Sequence, residues 1–233
     1  VIKSGARFNP EKAKWYNKEY LRMKSDDELT DLFIPVLEEH GINVVECPAC
    51  ALTAGAQFAG KGVDFKNHIV TKEYVHDVVA FVKERASFVK DIWLNASCLF
   101  VSPLEYEKYG VKSGAAAEAA KPADPRRAAD PRAKIYDDTL TAPFLAKDAD
   151  KFWKPEGYQP AYQVTEHVCG FDGAFTKENI EPYLEDYIRE QGWPMGKVMN
   201  CIRLAITGAA SGLGIADILS FIGKDEFKAR MAY

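Results

Sequence analysis

The sequence predicts a mainly α-helical protein built from two consecutive helical-bundle domains. In both halves, apolar residues recur with the three-to-four-residue spacing of helices, and helix-capping residues precede several of these stretches. Neither half contains a convincing series of alternating strands. With 233 residues, of which 47% are hydrophobic, the chain is long enough to bury one large core or two small ones.

The first predicted helix begins at Asn9-Pro10, where an N-cap residue precedes a proline at the first helical position. Behind this start, Trp15, Tyr16 and Tyr20 give the helix an aromatic face. Large aromatic side chains are usually buried, so we expect these three to pack in the core.

The second predicted helix begins after a capping box formed by Ser25 and Glu28. Pro35 is expected to kink this helix, and Gly41 is expected to end it. Its inward stripe consists of five apolar residues, which are Leu29, Leu32, Phe33, Val36 and Leu37.

Two more helices are predicted in the first half, one starting at Thr71 and one over about 87–100. The expected inward residues of the earlier helix are Tyr74, Val75, Val78, Val79 and Val82. Those of the later helix are Phe88, Ile92, Leu99 and Phe100.

Residues 112–134 differ from the rest of the chain in composition. Alanine is mixed there with lysine, proline, aspartate and arginine, including two Ala-Asp-Pro-Arg copies. Such a segment buries too little apolar surface to fold by itself, so we interpret it as a flexible linker. The predicted organisation is a helical domain over 1–111, the linker over 112–134 and a second helical domain over 135–233.

In the second half, a helix is predicted between Thr176 as its cap and Gly192 as its end. Its expected inward residues are Ile180, Leu184, Tyr187 and Ile188. A final helical stretch covers 213–221, with Gly223 as its C-cap, and a short amphipathic segment follows.

Composition narrows the function classes. The net charge of −4 provides no overall basic field, so a nucleic-acid site has to be a local patch. Five scattered cysteines without a secretory leader favour a reducing cytoplasm over a disulfide framework. No apolar run approaches the ~20 residues that span a bilayer. Val1 is not a plausible start of translation, so we expect the chain to begin inside a longer protein.

The Cys47-x-x-Cys50 motif is a candidate metal or redox site. One such pair supplies two zinc ligands, and His40, His68 and Cys98 lack the spacing of a zinc finger. The βαβ context of a thioredoxin-like redox motif is also absent. We favour an ordinary loop, and metal binding is the alternative.

A glycine-rich stretch at 207–214, Thr-Gly-Ala-Ala-Ser-Gly-Leu-Gly, matches the phosphate-binding turn of short-chain dehydrogenases, and residues 204–206 before it suit a buried strand. However, only 19 residues follow Gly214, too few for another βαβ unit of about 30 residues. The Tyr-x-x-x-Lys spacing of those enzymes occurs only upstream, at Tyr20 and Lys24. An NAD(P)-dependent oxidoreductase is therefore an unfavoured alternative.

Segments at the start, in the middle and at the end of the chain, in the right order, resemble the part of bacterial glutamyl-tRNA synthetases that follows the catalytic half. Residues 1–21 contain Phe and then Lys-x-x-Trp-x-Asn and Tyr-Leu, and residues 82–92 contain the Lys-Glu-Arg helix of the first anticodon-binding domain. Residues 196–208 resemble the Leu-Arg-x-Ala-x-Thr-Gly motif of the second, and residues 218–225 the closing Ile-Leu-x-x-Leu-Gly-Lys-Glu. The chain departs from the family at 201–203 and at 212–214, where prolines are common.

The resemblance to these class I synthetases implies two helical anticodon-binding domains that contact tRNA(Glu), within an enzyme that attaches glutamate to tRNA. ATP and Mg are expected in a catalytic domain outside this chain, because the His-Ile-Gly-His and Lys-Met-Ser-Lys-Ser-type signatures are absent. We therefore expect no cofactor and no catalytic residue here, and no aminoacylation by this chain alone. A cytoplasmic monomer that binds neither DNA nor membrane is expected. A helical protein-interaction module without an RNA role is the remaining alternative.

The resemblance also implies a set of anticodon-binding residues. The bases of an anticodon are unpaired, so guanidinium, amide and backbone groups can contact their edges. Arg85 is the candidate for the first anticodon base, and Lys197 is a candidate phosphate contact. Matching the closing motif places the family's other anticodon-binding positions on Asn200, Arg203, Gly212 and Ile215. The neighbouring Gly214 is added to this set. The alternatives are that Arg85 complements a helix dipole, that Arg203 forms a structural ion pair, that Gly212 and Gly214 are ordinary loop glycines shaped by packing and that Lys197 is an ordinary surface residue.

Limited proteolysis tests the predicted linker. We expect the first protease cuts near Lys121, Arg126, Arg127 or Arg132, leaving two folded halves, because exposed polar segments are cut before packed helices. Mass spectrometry of the earliest fragments locates the cuts. A first cut inside 72–100 or 177–191 would show that the predicted boundary is wrong.

Overall fold

The computed structural model describes residues 10–47, 49, 62–105, 148 and 151–232. The prediction of a mainly helical fold is confirmed. The helices of the first half are α1 (Pro10–Met23), α2 (Asp26–Glu39), α3 (Lys72–Val82) and α4 (Val89–Ala96), with 3₁₀ turns at Lys83–Arg85, Ser97–Leu99 and Pro103–Glu105. Those of the second half are α5 (Pro155–Cys169), α6 (Lys177–Glu190), α7 (Met195–Thr207) and α8 (Ile215–Met231). The predicted linker at 112–134 lies outside the described residues, and the division into domains stays a prediction.

A small three-stranded sheet in the first half was not predicted. Its strands are β1 (Asn43–Val45), β2 (Val63–Asp64) and β3 (Ile69–Thr71), in the order β1-β3-β2. β3 pairs parallel with β1 and antiparallel with β2. Strands of two or three residues are too short to show an alternating pattern, so the sequence gives no usable signal for them.

The capping box at the start of α2 is confirmed. The Ser25 hydroxyl accepts a hydrogen bond from the Glu28 amide at 3.1 Å, and the Ser25 amide donates to the Glu28 carboxylate at 3.3 Å. Leu29, Phe33 and Leu37 are fully buried as predicted, whereas Leu32 is 46% exposed. The buried stripe of α2 is thus narrower than the apolar pattern suggested.

The expectation that the aromatic face of α1 packs in the core is wrong. Trp15, Tyr16 and Tyr20 are 57%, 47% and 66% exposed, and Leu21 is the buried residue of this helix. A stripe of apolar side chains marks a face suited to packing, but it does not supply the element that covers it. Among the described residues, nothing covers this face of α1.

The third and fourth helices follow the prediction with one exception. Thr71 caps α3 by accepting a hydrogen bond from the Tyr74 amide at 3.2 Å, and the predicted inward residues of α3 are all buried. Phe88, which was expected to face inward, is 47% exposed. It occupies the N-cap position of α4, so the periodicity of the helix does not apply to it.

In the second half, α6 buries Ile180, Leu184 and Ile188 as predicted. Gly223 interrupts α8 with a φ of 78°, in agreement with its predicted role as a C-cap. Helix α5 was not predicted, because two prolines and a glycine obscure its pattern. Its glycine, Gly157, is needed for close packing on α7, since an added Cβ would lie 2.7 Å from the Cys201 sulfur.

The two halves pack directly against each other. Phe221 of α8 contacts Tyr74 and Phe81 of α3, with ring centroids 5.8 and 5.5 Å apart. The Tyr74 hydroxyl also donates a hydrogen bond of 2.6 Å to the Leu99 carbonyl, and burial raises the pKa of this phenol. One hydrophobic cluster contains residues from both halves, so side-chain packing holds the halves together.

Replacing Tyr74 by Phe tests this packing. The substitution keeps the ring but leaves the buried Leu99 carbonyl without its donor, so the free energy of unfolding should fall by about 1–2 kcal/mol. Urea denaturation measures the change. Tyr20→Phe is the matched control, because its ring is exposed, and a shift there within ~0.5 kcal/mol is expected. Equal losses for both variants would contradict the role of the buried hydroxyl.

Candidate functional site

The candidate site is the glycine turn that joins α7 to α8. Residues 204–206, which suit a buried strand, form the last turn of α7, and Gly208 ends this helix with a left-handed φ of 69°. The Thr207 hydroxyl accepts from the Ala209 amide at 3.1 Å and donates to the Arg203 carbonyl at 2.7 Å. The Thr-Gly pair is therefore a helix stop. A dehydrogenase turn follows a strand, so the oxidoreductase interpretation does not fit this geometry.

The end of the turn is held by packing. Leu213 and Ile215 are buried, whereas Gly212 is exposed and has a φ of 145°. At Gly214 an added Cβ would lie 2.3 Å from the Asp217 carboxylate, so a side chain there would displace this carboxylate. The Ile215 side chain faces the core, and the residue is 3% exposed.

Two arginines, one from each half, converge on this turn. Arg203 of α7 donates a hydrogen bond to the Leu213 carbonyl. Arg85, which ends the 3₁₀ turn after α3, donates to the neighbouring Gly212 carbonyl at 3.2 Å, from 127 positions away in the sequence. A guanidinium group carries five N–H donors, so each bond to the turn leaves further donors on the same group.

No carboxylate in the described part of the chain neutralises the charge of these two arginines. Neither Arg85 nor Arg203 forms an ion pair within the described part of the chain, so the alternative of a structural ion pair for Arg203 finds no partner there. Arg203 is half-buried, and desolvation lowers the pKa of its guanidinium from its usual value. The nearby Asp217 is paired with Lys177 at 2.9 Å. The turn is therefore a local positive patch on a chain with a net negative charge.

Asn200 and Lys197 lie earlier on α7 and differ in their surroundings. Asn200 is half-buried one helical turn before Arg203, and its side chain makes no hydrogen bond to the residues that the structure describes. Lys197 forms an exposed ion pair with Glu156, with the Nζ–Oε1 distance at 3.1 Å. A backbone hydrogen bond and this lysine together lower the pKa of Glu156. Lys197 is thus engaged at the surface and lies at the other end of α7 from the turn.

The metal-binding alternative gains no support. Within the described ranges, no three His, Cys, Asp or Glu side chains cluster closely enough to hold an ion, although Cys50 lies outside them. Of the other candidate ligands, His40 stacks on Trp93 at 4.3 Å. Burial raises the pKa of Cys98 to about 11, which disfavours the thiolate that a metal would need.

Among the described helices, none combines the length and apolarity needed to cross a membrane.

Comparison with known proteins gives a consistent result. Residues 129–233 match the family model described as an anticodon binding domain. The chain is 31% identical over 229 residues to the glutamate–tRNA ligase of Bacteroides fragilis, and 28% identical over 226 residues to that of Flavobacterium psychrophilum. These alignments cover 98% and 97% of the chain but 32% of each relative. The chain therefore spans about a third of the length of the curated relatives that it matches.

Solved structures support the same fold. The crystal structure of a glutamate tRNA ligase from Elizabethkingia meningosepticum, in complex with its amino acid, aligns with a TM-score of 0.61 and 24% identity. The alignment covers 100% of this chain and 33% of that one. A glutamate–tRNA synthetase from Elizabethkingia anophelis aligns with a TM-score of 0.56 and 23% identity.

The conformation of the turn can be tested at Gly212. A Gly212→Ala variant should lose about 1–3 kcal/mol of stability, because its φ of 145° is strained for any residue with a Cβ. Backbone strain would be the only cause of this loss, because no other atom of the described residues lies within 4 Å of the added Cβ. Gly196→Ala is the matched control: it has the same free space inside α7, and the substitution should be neutral or stabilising by up to ~1 kcal/mol. Thermal unfolding measures the stability of both variants. A Gly212→Ala variant that is as stable as the wild type would contradict the strained turn.

Proposed function

We propose that this chain, which is a homologue of the carboxyl-terminal part of glutamate–tRNA ligases, binds a tRNA and recognises the bases of its anticodon. The observation that carries the proposal is the convergence of Arg85 and Arg203 on consecutive carbonyls of one glycine turn. Both guanidinium groups lack a carboxylate partner among the described residues, and they come from different halves of the chain. They form the positive patch that an acidic chain needs in order to bind RNA.

The chemistry of the patch suits an unpaired base. Bases in a single-stranded loop are splayed and expose their Watson–Crick edges to side chains and backbone. Arg203 offers a planar fork of donors, and Asn200, one turn away, offers an amide that can both donate and accept. Gly212 leaves its backbone uncovered, so a flat ring can approach closely.

The roles follow from position. Arg203 and Asn200 contact base edges, and the backbone of Gly212 and Gly214, next to the buried Ile215, forms the surface against which a base lies. Arg85 contacts the first anticodon base from the other half. Lys197 contacts a phosphate only if its ion pair with Glu156 is exchanged for the RNA. The RNA is tRNA(Glu), and the complete enzyme attaches glutamate to it with ATP and Mg through residues outside this chain, as a cytoplasmic monomer.

Charge also limits how the RNA can lie on the protein. Helix α6 carries an acidic set of residues, which are Glu178, Glu181, Glu185, Asp186 and Glu190. Carboxylates repel the phosphate backbone, so we expect the phosphates to keep clear of these side chains. The first residue of the same helix, Lys177, pairs with Asp217 beside the turn.

The second candidate function is a helical protein-interaction module without an RNA role. The exposed aromatic face of α1, with Trp15, Tyr16 and Tyr20, is the observation that favours it. The two candidates differ in one measurement. Absence of tRNA binding even at low salt would favour the interaction module.

An Arg203→Ala variant tests base recognition. It should weaken binding of the tRNA(Glu) anticodon stem-loop by about 1–3 kcal/mol, and have much less effect on a stem-loop with an exchanged anticodon. Fluorescence anisotropy at several salt concentrations measures both. Lys197→Ala, on the same helix, is the matched control. If Lys197 contacts a phosphate, its loss should weaken binding of both RNAs alike and change the salt slope by roughly one unit.

Stability has to be measured in parallel, because Arg203 also donates to the Leu213 carbonyl. Equal weakening of both stem-loops with an unchanged melting temperature would make Arg203 a backbone contact. A large loss of stability would make it a structural residue of the turn. Either result would contradict base recognition by this side chain.

A further inference from the structure

Arg230, near the end of α8, is a charged residue buried in the middle of the protein. Its side chain is 1% exposed, and its Nε donates to the Glu226 carboxylate at 2.6 Å. Its guanidinium carbon lies 4.9 Å from the centre of the Phe65 ring. Burial of a charge is unfavourable unless the charge is paired and hydrogen-bonded, so these contacts constrain where the group can lie.

One terminal nitrogen of this group joins the two halves. The Arg230 Nη1 donates to the Cys98 carbonyl at 2.8 Å and to the Ile206 carbonyl at 2.7 Å. Cys98 belongs to the 3₁₀ turn after α4 in the first half, and Ile206 belongs to the last turn of α7 in the second. Carbonyls at helix ends lack partners within their own helix. A single cation thus satisfies one such carbonyl from each half and complements the negative end of the α7 dipole.

These carbonyls lie at the base of the candidate site. Ile206 follows Arg203 by three residues and precedes the left-handed Gly208 by two. The first half, held through Cys98, carries Arg85 in the turn before α4. We propose that Arg230 is a positioning residue, which holds the two halves in the one orientation that brings Arg85 and Arg203 to the same turn. Its consequence for RNA binding rests on the proposed function, whereas the contact between the halves does not.

Few side chains other than arginine fit these contacts. The group must donate to a carboxylate on its own helix and to two carbonyls from different halves while lying over an aromatic ring. A lysine ammonium is a compact point charge and lacks the planar fork that spans these acceptors. The remaining nitrogen, Nη2, is buried without an acceptor among the described residues.

Two native cysteines provide a test that does not need RNA. Cys98 is buried at the contact between the halves, and Cys201 is buried between α5 and α7 within the second half. The Arg230→Met/Glu226→Gln variant removes the ion pair without leaving an unpaired buried carboxylate. We expect N-ethylmaleimide to modify Cys98 at least about tenfold faster than in the wild type, with the rate at Cys201 unchanged. Mass spectrometry of the modified peptides separates the two sites.

The outcomes distinguish positioning from general stability. Selective modification of Cys98 supports the proposal. Continued protection of Cys98, or equal exposure of Cys98 and Cys201, overturns it, because the halves would then either stay together without Arg230 or unfold as one. If the double variant does not fold, Arg230→Lys replaces it, with the same selective modification of Cys98 expected. Lys228→Met is the matched control. It removes the ion pair between Lys228 of the same helix and Glu166 of α5, which lies within the second half, so Cys98 should stay protected.

A second experiment measures binding of the tRNA(Glu) anticodon stem-loop. Arg85→Ala should weaken binding in the wild-type background but add no further loss in the Arg230 variant, because Arg85 no longer lies at the turn there. The same loss in both backgrounds would overturn the positioning role. If the wild-type chain binds no RNA at all, the proposed function fails, while the cysteine measurement still decides whether Arg230 holds the halves.

Discussion

The buried guanidinium of Arg230 is the interaction on which the arrangement of the two halves depends. Aromatic packing around Phe221 brings the halves together, but packed side chains tolerate small shifts of one surface over another. Hydrogen bonds to two carbonyls from different helix ends are directional and restrict such shifts. The fold therefore combines an adaptable apolar contact with one polar contact of fixed geometry. The alignment of the glycine turn with the first half follows from both.

Local features of the fold were predictable from the sequence, whereas long-range ones were not. The capping box at Ser25 and the Gly223 break depend on residues a few positions apart, so sequence spacing contains the necessary information. Trp15 and Phe88 are exposed because no other element that the structure describes covers them, and the apolar pattern of a helix contains no information about such neighbours. The short strands have no periodic signal, and in helix α5 two prolines and a glycine obscure it. Errors arose where tertiary contacts decide the outcome.

The candidate site shows the same division. Motif resemblance selected Arg85, Arg203 and Gly212 as separate residues, but only the fold places a hydrogen bond between Arg85 and the Gly212 carbonyl. The buried side chain of Ile215 agrees with its residue type, which is among those most often buried, but the motif resemblance alone does not include this information. The ion pair between Lys197 and Glu156 joins two helices whose packing the sequence did not reveal. A list of site residues was obtainable from the sequence, and their geometry was not.

The two arginine–carbonyl bonds at the turn have an entropic consequence. A free arginine side chain populates many rotamers, and fixing one costs up to about 2 kcal/mol. At this turn, Arg85 and Arg203 are already held by backbone acceptors in the absence of any ligand. Their loss of rotamer freedom is thus incurred during folding rather than during association. A planar guest that meets the remaining donors encounters a surface ordered in advance, which favours selectivity among guests of similar size.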